Sequence, residues 1–301
     1  MQFLTAKLPK FLMKIFKEFN YKENESLKNY CTFKIGGNAN FLFIVHSKKE
    51  LINVCKICKT HNIKYKVIGL GANLLFDDLG YKGAIIVNKT NDIEFKNSLV
   101  IADGGVNLTA LIMQAYQRGL SGFESLAGIP STLAGGIVNN VGAFGTEIAD
   151  CVETVECYNE NFKKITLTKS DCNFSYRNSI FKQKNLIITK AVLKLKQDEK
   201  SLIKKRINEA ITKKSSTQPL NYPSAGSVFK RCEIIPAKVI DELGLKGAKI
   251  GGAEISTKHA GFIVNNNSAT SQDVKELINI IKEKVKSTHN IDLETEIEFV
   301  K

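Results

Sequence analysis

The sequence predicts an α+β protein of more than one domain. Three observations lead there. The 301 residues, 43% of them apolar, are more than one ordinary core needs. Short β-like runs alternate with helical periodicity through the first two thirds. Glycine-rich irregular stretches separate these elements. The apolar fraction, near the globular average, excludes disorder for most of the chain. No run of about 20 uncharged apolar residues is present, which excludes a membrane-spanning helix.

In chain order, Met1–Phe19 is amphipathic: Phe3, Leu4, Leu8, Phe11, Leu12, Ile15, Phe16 and Phe19 alternate with Lys7, Lys10, Lys14 and Lys17. The lysines interrupt any signal-like apolar region, so a cytoplasmic location is expected. Phe41–Val45, Tyr65–Ile68, Ala84–Val87, Leu99–Ala102, Val152–Tyr158 and Leu186–Leu195 read as strands; Leu51–Thr60 and Leu108–Gly119 read as helices. The highly charged stretch Asp198–Lys214 is helical and marks the best domain boundary. Helices follow near Pro236–Leu243 and Ser271–Thr288, with β-like segments at Gly261–Val264 and Glu296–Val300.

Seven cysteines are an odd count without the density of a disulfide scaffold. Cys55 and Cys58 have C-x-x-C spacing, but on a helix face they read as buried thiols. The four histidines are too scattered for a local metal motif, and no metal is expected. The net charge of +13 suits nucleic acid, an anionic membrane surface or acidic small ligands. Composition alone does not choose among these; the lysines are spread along the chain with no nucleic-acid motif, which counts against nucleic acid and keeps it as the alternative from another class.

Glycine points to the chemistry. Seven of the 21 glycines fall in Gly119–Gly145, with Ser131, Thr132 and Asn140 interleaved. A second loop, Gly69–Leu74, follows the Tyr65–Ile68 strand. Such loops let backbone N–H groups approach a phosphate. Neither is a dinucleotide fingerprint: Leu74 stands where the third glycine belongs, and no phosphate-loop motif occurs elsewhere. A phosphorylated cofactor held by a different architecture is expected.

Six blocks then appear in order. They are Thr32–Gly37 (TFKIGG), Gly69–Leu75 (GLGANLL), Ala127–Pro130 running on to Asn140–Gly145 (AGIP, NVGAFG), Tyr176–Phe181 (YRNSIF), Ser224–Lys230 (SAGSVFK) and Leu293–Glu296 (LETE). Together they resemble the UDP-N-acetylenolpyruvoylglucosamine reductase family over residues 22–300. That family sits within the vanillyl-alcohol-oxidase-like flavoproteins. The resemblance implies a two-lobed FAD-binding module of the vanillyl-alcohol-oxidase/PCMH type and a C-terminal α+β substrate-binding domain. The implied organisation is an N-terminal segment 1–24, FAD lobes 25–88 and 89–197, and a substrate domain 198–301 whose last strand returns to the active site.

The resemblance further implies non-covalent FAD, NADPH as reductant, and reduction of the enolpyruvyl ether of UDP-N-acetylglucosamine in peptidoglycan precursor synthesis. It also implies a monomer with no membrane insertion. Another flavin oxidase or dehydrogenase of the same superfamily is the alternative. Implied cofactor contacts are Gly69, Gly71, Ala72, Asn73, Leu74, Gly128, Pro130, Ser131, Thr132, Gly135, Asn140, Gly142 and Gly145. Hydride reaches carbon 3 of the enolpyruvyl group and negative charge develops at carbon 2 and its carboxylate, which calls for cationic groups and a proton donor. The matching positions are Arg177 for the carboxylate, Glu296 as a protonated hydrogen-bond donor, and Ser227 as proton donor, with Lys230 a candidate to favour the alkoxide. Tyr176, Lys230, Lys246 and His259 match substrate contacts. Alternation places Glu294, Glu296 and Glu298 on one strand face and leaves open which of them meets the site. Ala72 stands where serine is commoner, Ser131 and Ala134 where glycine is, and Cys232 where proline is. The absence of a tyrosine-bearing insertion marks the shorter (type II) form.

Overall fold

The computed structural model describes residues 14–301, so the first 13 residues of the amphipathic segment lie outside it. Two sheets and a smaller third unit build the chain. The first sheet comprises β1 (Tyr21–Ser26), β2 (Asn38–Val45), β3 (Tyr65–Ile68) and β5 (Tyr81–Asn88), in the order β1-β2-β5-β3; β4 (Leu74–Phe76) lies apart. The β2–β5 and β5–β3 pairs are parallel, β1–β2 antiparallel.

The apolar run of β5 follows from burial on both faces, as expected of a central parallel strand. Ala84 and Ile86, with Phe43 and Val45 of β2, pack under helix α1 (Lys48–Thr60). Ile85 and Val87, with Leu42, point the other way into a second core. Helix α1 starts where the Ser47 hydroxyl accepts the Glu50 N–H at 3.2 Å, a side-chain N-cap. Its buried stripe includes Cys55 and Cys58. Burial pushes the Cys58 thiol up to about 12 and Cys55 further, so both are inert protonated thiols, as their helical spacing predicts.

The second sheet is antiparallel throughout. It contains β6 (Ile93–Lys96), β7 (Leu99–Asp103), β8 (Val152–Tyr158), β9 (Lys164–Thr168) and β10 (Ile187–Lys194), in the order β9-β8-β10-β7-β6. Helices α2 (Leu108–Gln117), α3 (Leu133–Val138) and α4 (Lys200–Thr217) belong with it. The third unit holds β11 (Ser224–Ser227), β12 (Lys249–Ile250), β13 (Ala253–Ile255) and β14 (Phe262–Asn265), ordered β11-β14-β13-β12, with helices α5 (Pro236–Glu242) and α6 (Ser271–His289). Strand β15 (Glu298–Val300) leaves this unit and pairs in parallel with β4 of the first lobe.

From the packing we propose to redraw two of the expected boundaries. Residues 21–24, expected in the N-terminal segment, form the start of β1, with Tyr21 opposite Phe43. Phe16 buries its ring edge-on against Phe43, with centroids 4.9 Å apart. The charged helix expected to open the third unit instead sends Ile203 and Ile207 into the core of the second lobe, alongside Leu111, Leu126 and Val155. Polar spacing located a helix but could not say which core receives its narrow apolar stripe. We draw the third unit from residue 218. Its core is continuous with that of the first lobe: Val228, Ile263, Leu277 and Ile281 share one cluster with Leu27, Phe33, Leu42, Phe76 and Ile85. No helix among the described residues is long and apolar enough to cross a membrane.

Candidate active site

The two glycine loops touch. A Cβ on Gly69 would stand 2.3 Å from the Thr132 hydroxyl, so only glycine permits this approach. Gly71 has φ +62°, and a Cβ there would meet the Tyr30 carbonyl at 2.4 Å. Between them the loops wall a cleft of about 1430 Å³, also lined by Asn88, Arg177, Lys214, the β11 residues Ser224–Ser227, Glu296 and Glu298. This exceeds the roughly 300–1,000 Å³ of a small-ligand pocket and suits an extended dinucleotide together with a substrate.

The loops differ in what they offer a phosphate. At the start of α3, the Leu133 and Ala134 N–H groups already donate to the Val106 and Gly104 carbonyls, and Gly135 donates to the Thr132 hydroxyl. The Gly71, Ala72 and Asn73 N–H groups donate to no backbone carbonyl among the described residues. These three consecutive N–H groups are open to a phosphate, as are those of Ser131 and Thr132 just before α3, which also meet no carbonyl there. Of the expected cofactor residues, Gly69, Gly71, Ala72, Asn73, Leu74, Gly128, Pro130, Ser131, Thr132, Gly135 and Gly142 line the cleft. Asn140 and Gly145 do not. Asn140 is fully buried as a clamp, donating to Glu147 Oε2 at 2.6 Å and to the Ser175 carbonyl at 3.0 Å while accepting from the Ala149 N–H. Gly145 serves a turn at φ +85°.

The C-terminal tail assembles the other wall. Asn73 Nδ2 donates to the Glu296 carbonyl at 3.0 Å, and the Glu298 N–H donates to the Asn73 carbonyl at 2.9 Å. On the opposite side, the Glu296 N–H donates to the Val228 carbonyl at 2.7 Å, which sets Glu296 one residue from Ser227. Gly226, at φ +79°, has open space where a side chain would be, so Ser227 sits on an uncrowded edge of the cleft.

Arg177 meets Glu296 here. Its Nε donates to Glu296 Oε1 at 2.7 Å and its Nη2 to the Gly142 carbonyl at 3.1 Å. Arg177 adopts φ +52°, a left-handed conformation costing on the order of 1–3 kcal/mol, and Lys182 Nζ holds its carbonyl at 2.8 Å. Desolvation, with repulsion from Lys230 and Arg177, lowers the Lys182 pKa. The three glutamates of the tail are thus sorted by partner. Glu294 pairs with Lys230, Glu296 with Arg177, and Glu298 with Lys66.

Several expected substrate residues lie elsewhere. Lys230 is turned to Glu294 and does not line the cleft. Tyr176 is exposed, its hydroxyl accepting the Arg231 N–H at 3.2 Å beside the cleft wall. Lys246 pairs with Asp241 at 2.6 Å. His259 Nδ1 accepts the Gly261 N–H at 3.1 Å, and desolvation, followed by nearby Lys246, lowers its pKa. Neither lines the cleft, although His259 packs edge-on against Phe262, which does. Two residues went unnoticed in the sequence. Lys182 carries no local signal, since its role depends on Arg177 folding back. Lys214 does: it continues the buried stripe Ile203, Ile207, Ala210, a lysine on an apolar face.

Known proteins resemble this chain over most of its length. An FAD binding domain family matches residues 39–167, and the C-terminal domain family of UDP-N-acetylenolpyruvoylglucosamine reductase matches 218–300. The UDP-N-acetylenolpyruvoylglucosamine reductase of Clostridium novyi is 36% identical over 97% of this chain and 95% of its own length. That of Caldanaerobacter subterraneus subsp. tengcongensis is 39% identical over 96% of both. The crystal structure of the Thermus caldophilus enzyme superposes with a TM-score of 0.81 at 32% identity, covering 94% of this chain and 99% of that one. FAD is the cofactor, and the touching loops with their open N–H groups fit it. Fold, cofactor cleft and relatives converge: the chain is a flavin oxidoreductase and belongs to the UDP-N-acetylenolpyruvoylglucosamine reductase family.

Proposed function

We propose that the chain uses NADPH to reduce the enolpyruvyl ether of UDP-N-acetylglucosamine enolpyruvate, giving UDP-N-acetylmuramate for peptidoglycan precursor synthesis. The observation that carries this reading is the Arg177–Glu296 pair beside Ser227, facing the same cleft as the two glycine loops. Bound FAD supplies the hydride chemistry. The protein must then manage one negative charge and one proton.

Arg177 is always charged, and its planar fork suits the substrate carboxylate that gathers charge as hydride arrives at carbon 3. To receive that carboxylate it must share or release Glu296 Oε1. Glu296, once released, stands beside the same carboxylate, at the position that the resemblance matches to a hydrogen-bond donor. Ser227 gives its hydroxyl proton to carbon 2, completing addition of hydride and proton across the double bond. Lys230 is engaged by Glu294, so to support the serine alkoxide it must first leave that partner. All seven cysteines are free and six are buried, which suits a reducing cytoplasm.

The test is S227A in stopped flow. Flavin reoxidation by substrate should slow by about 10²–10⁴-fold, the range of general acid catalysis, while flavin reduction by NADPH stays near normal. Equal slowing of both half-reactions would remove Ser227 from the proton step.

A further inference from the structure

Lys214 is a buried cation that the proposed mechanism does not use. It is 4% exposed, lines the cleft, and runs its stem past Gly128, where a Cβ would lie 3.8 Å from its Cδ. Its Nζ donates to the Ser125 carbonyl at 2.6 Å and lies 4.7 Å from the Phe144 ring centroid. Among the described residues no acid is paired with it. Lys213, next on α4, is another cation over the same ring at 4.5 Å. Glu124, from the turn packed against α4, is bound by Arg206 and the Gly122 N–H. Glu147, from the ribbon that carries Phe144, accepts from Asn140. Lys258, from the third unit, donates to the Ser215 carbonyl.

A buried ammonium with no counter-ion is expensive, and the protein has two remedies: neutralise it or bring an anion to it. Oxidised FAD carries its fixed negative charge on the diphosphate, and it fills the cleft that Lys214 lines. We propose that Lys214 is a proton-linked cation of the cofactor cleft, taking up a proton as anionic FAD binds.

The direction follows from the empty cleft, where burial pulls the Lys214 pKa down to about 8. Below that pH the lysine is charged with or without cofactor, and binding is independent of pH. Above it the free protein has lost the proton that the complex keeps, so affinity falls as pH rises. Linkage then makes FAD bind about tenfold more weakly at pH 9 than at pH 7.

The full-length chain, freed of FAD and titrated with it by calorimetry in buffers of different ionisation enthalpy, tests this. Wild type should take up about three-quarters of a proton at pH 8.5 and close to none at pH 6.5. The K214R variant keeps a permanent charge, so it should bind FAD with no proton uptake at either pH. K214M should also show no uptake and should bind more weakly at pH 7. Uptake at pH 8.5 that persists in K214R, or that is missing from wild type, overturns the proposal.

Discussion

Arg177 and Glu296 are 119 positions apart and mostly buried, with side-chain exposures of 21% and 16%. Each is the other's ionic partner, so the two ends of the pair are not equivalent under substitution. In R177M, Glu296 loses its cation while the surrounding wall stays in place, a loss on the order of 1–3 kcal/mol. In E296Q the amide oxygen still accepts from Nε, and Arg177 keeps its bond to the Gly142 carbonyl, so the loss should stay below about 1 kcal/mol. Urea unfolding of the two variants checks the ranking. Equal losses would mean that the pair does not act as one unit. Neither residue could be singled out from local pattern. Arg177 sits in a polar turn and Glu296 in a row of alternating acids, and only the family match raised them above their neighbours. Lys214 was the reverse case, marked by its place on an apolar stripe yet hidden by the charge around it.

Helix α6 shows how an element is fixed across a boundary. Thr270 and Asp273 form a reciprocal capping box: the Asp273 N–H donates to the Thr270 hydroxyl at 3.0 Å, and the Thr270 N–H to Asp273 Oδ2 at 2.9 Å. Asp78, from the first lobe, accepts from the Ser271 N–H at 2.8 Å and from the Gln272 N–H at 3.2 Å. A carboxylate at a helix N-terminus also opposes the helix dipole favourably. T270A should therefore cost about 1 kcal/mol, seen in global urea unfolding because α6 buries Val274, Leu277 and Ile281 in the shared core. An unchanged midpoint would mean that Asp78 alone carries the cap. The α6 span was readable from its periodicity, as were β5, β8 and β10, most of whose apolar residues are buried. The strands Tyr21–Ser26 (YKENES), Ile93–Lys96 (IEFK), Lys164–Thr168 (KITLT) and Ser224–Ser227 (SAGS) were not. The first three lie at sheet edges with much of their length exposed, and the last is a glycine-containing segment shaped by its partner Phe262–Asn265. Their strand character comes from pairing, which no local pattern carries.

At the scale of the molecule, the three units are not beads on a string. The third unit shares its core with the first lobe, and β15 crosses back to pair with β4, carrying Glu296 to Arg177 on the second lobe. Cleft and core are thus completed by the same return of the chain. Residues 218–301, although matched as a domain by sequence, should not fold alone. Cut from the first lobe, Val228, Ile263, Leu277 and Ile281 would lose Leu27, Phe33, Leu42 and Phe76 as packing partners. A unit of this size already buries a smaller share of its surface than a full-length domain does. Expressed alone, 218–301 should lack a cooperative thermal transition by circular dichroism. Mixing it with the separately expressed remainder should restore both the transition and FAD retention if the shared core is what each piece lacks. A cooperative melt of 218–301 by itself would show that the continuity of the core is contact between finished domains, and the return of β15 would then be a docking step made after both had folded.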